Sequence, residues 1–309
     1  MDENTLIEVI KSGLSLANSS ISAIVGAVIT TLFLKKNTQT TEFEKIKAGK
    51  FSEVVDQLLN SGKMSYLEYY KCKNYLDIAK KADIKLSEIN KFTDNSESSH
   101  NEYNFDWFIR FFEAAGNISN EEMKTLWASV LAGEVHQGGS FSLRTLDTLY
   151  NMTPHEAELF ADISRIILDD SFLFSSMEGV GQDINERYHF DNDALRLLEE
   201  CGLINGLKMQ SQLELSQGES GGFTCGNNLL LFSCASDDGI VVEYTCYNLT
   251  MVGRQLYSVV SSCQDETYLR ELGKAIQGKN AFLKVSMHPM TGEDGDCITY
   301  DSNIDLLNE

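Results

Sequence analysis

Apolar residues along this chain recur at two different spacings. Between about residue 41 and residue 170 they return every three or four positions, as on one face of a helix. Phe43, Ile46, Val54 and Leu58 form one such stripe, and Tyr69, Cys72, Leu76 and Ala79 a second. Thr41 with Glu44, and Ser65 with Glu68, have the spacing of a capping box, in which each side chain satisfies the other residue's free backbone N–H. Asn60-Ser61-Gly62 supplies a stop between them. The pattern predicts two helices over 41–90.

Residues 93–104 (TDNSESSHNEYN) are polar and aperiodic and read as a linker. A helical unit follows. Ser119-Glu122 and Thr153-Glu156 are two further capping boxes, the second with Pro154 at the favoured first helical position. Gly138-Gly139 marks a break between helices. Trp107, Phe108, Phe111, Phe112, Trp127, Leu131, Leu143, Leu146 and Phe160 are the candidate core.

The last 120 residues change character. Asp191 to Cys201 reads as a helix closed at Gly202. NLLLFSCA (228–235) and IVVEYTCY (240–247) are strand-like runs, and Asp237-Asp238-Gly239 between them signals a hairpin. Thr250 then caps a helix carrying Leu256, Val259 and Val260. This helix–hairpin–helix order suggests a winged-helix-like module. Tyr268 to Ile276 is helical, AFLKVSM (281–287) and CITY (297–300) form a further strand pair, and 301–309 is a frayed end.

One stretch stands apart. Leu14 to Leu34 holds no charge and ends at Lys35-Lys36. As a helix it spans about 31 Å, close to the hydrocarbon thickness of a bilayer. Ser15, Ser19, Ser22, Gly26 and Thr30 fall on one face, where small and hydroxyl side chains let membrane helices pack or line a water path. The basic flank predicts a single pass in the bacterial inner membrane, N-terminus out and the bulk cytoplasmic. A plain monomeric anchor and an interfacial amphipathic helix are the alternatives. The expected fold is therefore mainly α with a smaller α+β C-terminal part. Its parts are an N-terminal transmembrane helix (1–36), a Lys-rich helical hairpin (37–92), a linker (93–104), a helical core domain (105–185) and an acidic winged-helix-like domain (186–309).

Charge sharpens the functional reading. The net charge is −21, which disfavours general nucleic-acid binding, since phosphate neutralisation needs clustered Lys and Arg. Residues 35–91 nevertheless hold 12 lysines against 8 acids, where anionic headgroups would attract them. The seven cysteines contain no CxxC pair, and the five histidines are scattered singly, so no structural metal is expected. No phosphate-binding loop, nucleophile elbow or zincin motif occurs, and neither a catalytic residue nor a cofactor is predicted.

Two polar groups merit attention. Asp106, Arg110 and Glu113 stand at helical spacings that allow pairing, and read as a structural clamp. Glu113 with Glu134 would serve acid–base chemistry only if burial shifted their pKa values. Gly138-Gly139-Ser140-Phe141-Ser142 precedes a helix bearing Arg144, so Ser140, Ser142 and Arg144 form a candidate anion or ligand site. The structural alternative is two helix caps and a buried Arg144 tied to Glu134 or Asp147.

FDWFIRFFEAAGNISNEEMKTLWASVLAGEV (105–135) and GSFSLRTLDTLYNMTPHEAELF (139–160) resemble a bacterial family known only as a domain of unknown function. FEKIKAGKFSEVVDQLLNSGKMSYLEYYKCKNYLDIAKKAD (43–83), LLEECGLI (197–204) and YNLTMVGRQL (247–256) are similar to the same group. The resemblance implies an accessory or membrane-associated component. It also suggests antiphage defence, with a regulatory protein or nucleotide signal as trigger, as in Hailong-type systems. The resulting expectation is a homo-oligomeric membrane effector that permeabilises the inner membrane in abortive infection. The alternative is a non-enzymatic, membrane-tethered scaffold for protein–protein interaction.

Overall fold

A computed structural model describes residues 52–53, 55–92, 104–181, 183–260, 265–294 and 297–308. The chain divides into two compact units, with the boundary in sequence between Pro154 and His155.

The first unit is helical. After a short helical stretch at 55–60, Gly62 turns the chain at φ +70° and Lys63 N–H bonds back to the Leu58 carbonyl at 3.0 Å. Helix α1 (Tyr66–Phe92) then opens on the expected capping box. Ser65 N–H donates to Glu68 Oε2 at 3.0 Å, and Glu68 N–H donates to Ser65 Oγ at 3.3 Å. The remaining helices are α2 (Phe105–Ala115), α3 (Glu121–His136) and α4 (Leu143–Asn151). The N-cap of α3 is Asn120, one residue beyond the expected Ser119, and its side chain accepts the Met123 N–H at 2.9 Å.

Helix α3 is buried on most of its circumference, from Trp127 and Leu131 to Ser129 and Glu134, as befits a helix at the centre of a bundle. Trp107 stacks on Phe111 at 5.2 Å between centroids, and Phe111 meets Trp127 edge-on at 5.1 Å. Buried Asn74 of α1 donates to the Gly116 carbonyl at 2.8 Å. Lys124 of α3, 6% exposed, reaches Asp77 at 3.2 Å and Glu121 at 2.9 Å, so its charge enters the α1–α3 contact already paired.

The second unit carries two antiparallel sheets. It begins with α5 (Pro154–Ser164), followed by β1 (Phe172–Met177), α6 (Asp183–Glu186) and α7 (Asn192–Glu200). Next come β2 (Met209–Leu215), β3 (Ser220–Cys225), β4 (Asn228–Cys234) and β5 (Ile240–Asn248). Helices α8 (Met251–Val260) and α9 (Glu266–Ile276) precede β6 (Leu283–Asp294) and β7 (Cys297–Tyr300). The strand orders are β1-β5-β2 and β3-β4-β6-β7.

This corrects the expectation of a mainly α chain with a winged-helix end. The run through Asp237-Asp238-Gly239 is not a hairpin turn, because β4 and β5 lie in different sheets. β2 and β3 instead form one arm of a long bent hairpin, and β4 and β5 the other. Its tip is Gly226-Asn227, with Gly226 at φ +57°, the two-residue loop with glycine first that suits a type II′ turn. The breaks at 216–219 and 235–239 face each other and carry the hairpin from one sheet to the next. CITY (297–300) forms β7 and pairs with β6, but through Met290–Asp294 rather than 281–287, because Leu283–Pro289 is paired with β4. The chain end, expected to fray, is docked: Leu307 is fully buried, and Leu306 N–H bonds the Met287 carbonyl at 2.7 Å.

The expected membrane helix over 14–34 lies outside the described residues, and with it Ser15, Ser19, Ser22, Gly26, Thr30 and the Thr41–Glu44 cap. Among the described residues no helix is long and apolar enough to cross a membrane. The longest, α1, carries Lys71, Lys73, Asp77, Lys80, Lys81, Asp83 and Lys85 along its middle. The single-pass inner-membrane placement is accordingly not retained.

Candidate functional site

The loop expected to bind an anion is occupied from within. Past the end of α3, Gly139 takes φ +86° and turns its N–H toward the preceding helix. Glu134 Oε1 accepts that N–H at 2.8 Å, and Glu134 Oε2 accepts the Phe141 N–H at 3.0 Å. Ser140 Oγ donates to the Gln137 carbonyl at 2.6 Å. Ser142 is the N-cap of α4, its Oγ accepting the Thr145 N–H at 3.2 Å. The backbone donors that would hold an external anion are thus spent on an internal carboxylate. Burial raises the pKa of Glu134, and the N–H groups of Gly139, Phe141 and Ser140 oppose that rise. Arg144 lies exposed on α4.

Arg110 finds neither neighbour expected of it. Its Nε and Nη2 donate to Asp147 Oδ1 at 3.0 and 2.8 Å, tying α2 to α4. Asp106 and Glu113 are exposed. Both members of the Arg110–Asp147 pair are about half exposed, which makes it a surface ion pair of small energetic weight. Glu113 lies on the exposed face of α2, whereas Glu134 is buried. Among the described residues no three His, Cys, Asp or Glu side chains are grouped to hold a metal ion.

The second unit holds a cavity of about 440 Å³ against the β1-β5-β2 sheet. Ser176, Gln210, Glu243 and Lys279 are among its polar lining, with Met177 and Val241 between them. Ser176 Oγ and Thr245 Oγ1 share a hydrogen bond of 2.8 Å. Glu178, Tyr244, Thr245 and Asn280 complete its polar lining.

The sheet edges differ sharply from one another. An edge strand presents unpaired N–H and C=O groups, and folds usually blunt it. β1 is interrupted by a bulge between Phe174 and Ser176, and fully buried Asn185 donates its Nδ2 to the Phe174 carbonyl. At the edge of β3, Thr224 N–H donates to Asp169 Oδ1 at 2.6 Å, and Asp169 N–H to the Thr224 carbonyl at 3.0 Å. Asp169 and Asp170 hold this lock in a tight turn with φ of 48° and 50°. β7 is only four residues long and follows a register shift between Met290 and Gly292.

β2 has none of these devices. It runs seven residues in unbroken register with β5, from Met209↔Cys246 to Leu215↔Ile240. It contains no proline and no lysine, and Met209, Gln210, Gln212 and Glu214 are exposed. Among the described residues its backbone has hydrogen-bond partners on β5 alone.

A family model described as a protein of unknown function (DUF2806) matches residues 80–273. The chain belongs to this family. The match runs from within α1 to within α9, so the DUF2806 region includes the Glu134 loop, the Asp169–Thr224 lock and all of β2, and stops short of β6. No curated protein matches the chain, and no solved structure does.

β2 was not among the expected strands, although its signal is present in the sequence. Met209, Ser211, Leu213 and Leu215 alternate with Gln210, Gln212 and Glu214, a period of two. The apolar members are few, so the run lacks the weight of NLLLFSCA. What makes it an edge, a single neighbouring strand among the described residues, is written nowhere in its own sequence.

Proposed function

We propose that the protein is a non-enzymatic interaction component whose second unit binds an extended strand of a partner along the open edge of β2. The contrast among the four sheet edges carries this reading: a bulge and Asn185 blunt β1, Asp169 locks β3, β7 is short, and β2 runs seven residues in unbroken register with no second neighbour among the described residues. Strand addition to such an edge draws affinity from main-chain hydrogen bonds and specificity from alternate side chains. Leu213 and Met209 offer the apolar contacts and Gln210, Gln212 and Glu214 the polar ones.

The antiphage setting that the family resemblance suggests accords with a component that acts by contact rather than by chemistry of its own. Membrane permeabilisation is not part of this proposal. A photo-crosslinking residue at Gln212, compared with one at exposed Ser220 on β3, the strand whose edge Asp169 locks at Thr224, tests it in cells. The expected result is a discrete adduct from position 212 and none from 220. Absence of any adduct from 212 overturns the reading.

A further inference from the structure

The exposed sequence of β2 is complementary to itself. We infer that the strand added at this edge is β2 of a second copy of the chain, antiparallel and centred on Gln212. The inference rests on the reading of β2 as a binding edge and names its occupant.

A two-fold axis through Gln212 pairs all seven residues of the strand, and because the register is even it keeps each side chain on its own face of the sheet. On the face that β5 fills with Val242, Tyr244 and Cys246, Met209 comes opposite Leu215 of the second copy, and Ser211 opposite Leu213. Met209 is 43% exposed and Leu213 half-buried, so both gain cover from the pairing. On the opposite face Gln210 comes opposite Glu214, an amide donor against a carboxylate, and Gln212 meets Gln212. No like charges stand directly opposite one another. Within one strand Gln212 Nε2 already donates to Glu214 Oε1 at 2.6 Å, which holds the carboxylate on the face where the second Gln210 would approach. The result is a continuous antiparallel sheet of order β1-β5-β2-β2-β5-β1.

The contact is small, which places it among weak, reversible associations. Each chain also carries a net charge of −21. Repulsion between copies therefore opposes pairing at low ionic strength, and salt strengthens the dimer by screening it.

Sedimentation equilibrium on the full-length protein, with Q212K and Q212E variants, tests both the occupant and the register. Gln212 is exposed, and circular dichroism checks that both variants keep the fold. The wild type is expected to dimerise reversibly in the micromolar range. Each variant alone places like charges at the axis and weakens dimerisation about fivefold. An equimolar mixture of the two sets Lys against Glu and recovers the association. A wild type that stays monomeric, variants that dimerise normally, or a mixture that fails to recover overturns the inference. A crosslink from position 212 to a different protein, with a monomeric wild type, overturns the second copy and leaves the binding edge standing. No crosslink from 212 at all removes both.

Discussion

Glu134 is 1% exposed, and both of its carboxylate oxygens are engaged by the backbone of the loop that follows. Glutamine there keeps one acceptor but sets an NH2 group against a backbone N–H. E134Q is expected to destabilise the first unit by about 1–3 kcal/mol, read by urea denaturation. Its pH profile adds a sign. Burial lifts the Glu134 pKa above its ordinary 4.5, with the loop N–H groups opposing, so the folded state holds this proton more tightly than the unfolded one. Wild-type stability should fall as pH rises from 4.5 through the raised value and then level off, and E134Q should lack that step. Thiol reactivity follows the same logic of burial. Burial pushes Cys72 and Cys225 up to about 12 and Cys201 up to about 11, whereas Cys297 is exposed. A disulfide reagent at neutral pH should modify Cys297 rapidly and leave those three until the protein unfolds. Residue types alone showed that Glu134 and Arg110 were polar groups in an apolar motif. They did not show the partners, because Arg110 chose Asp147 across the fold over acids one turn away.

At the scale of elements, local features were legible and pairings were not. The Ser65–Glu68 box, Asp191 before α7, Pro154 opening α5 and Thr250 before α8 follow from groups within a few residues of one another. Strand partners depend on residues far apart in the chain. Asp237-Asp238-Gly239 looks like a turn and is a crossing between sheets, while Gly226-Asn227, the actual turn, sits in the same stretch of sequence. Glycine also reports close approach. A Cβ on Gly253 would lie 2.0 Å from the Leu203 carbonyl oxygen, so glycine lets α8 approach the turn that follows α7. The docked tail is an element that composition hides, since 301–308 reads as polar. Asp305 Oδ1 accepts the Met287 and Leu307 N–H groups at 3.1 Å each, and Leu307 packs against Gly273. L307A is expected to cost about 2–5 kcal/mol in chemical denaturation, the loss of a core leucine. A frayed end would lose almost nothing.

Across the whole molecule, the DUF2806 match joins the helical first unit to the two-sheet second unit. The acidic balance was visible in the sequence, and so were the candidate core aromatics, of which Trp107, Phe108, Phe111, Phe112 and Trp127 are buried together. Sheet architecture was not legible in the sequence, and neither was the edge on which the functional proposal rests. Three sheet edges are closed by three unrelated devices, and β2 is the exception. Amide hydrogen exchange on dilute protein tests that exception most directly. The N–H groups of 209–215 that point away from β5 should exchange quickly, while the central β5 amides stay protected. Protection of the outward β2 amides equal to that of β5 would mean the edge is already covered, and would contradict the account.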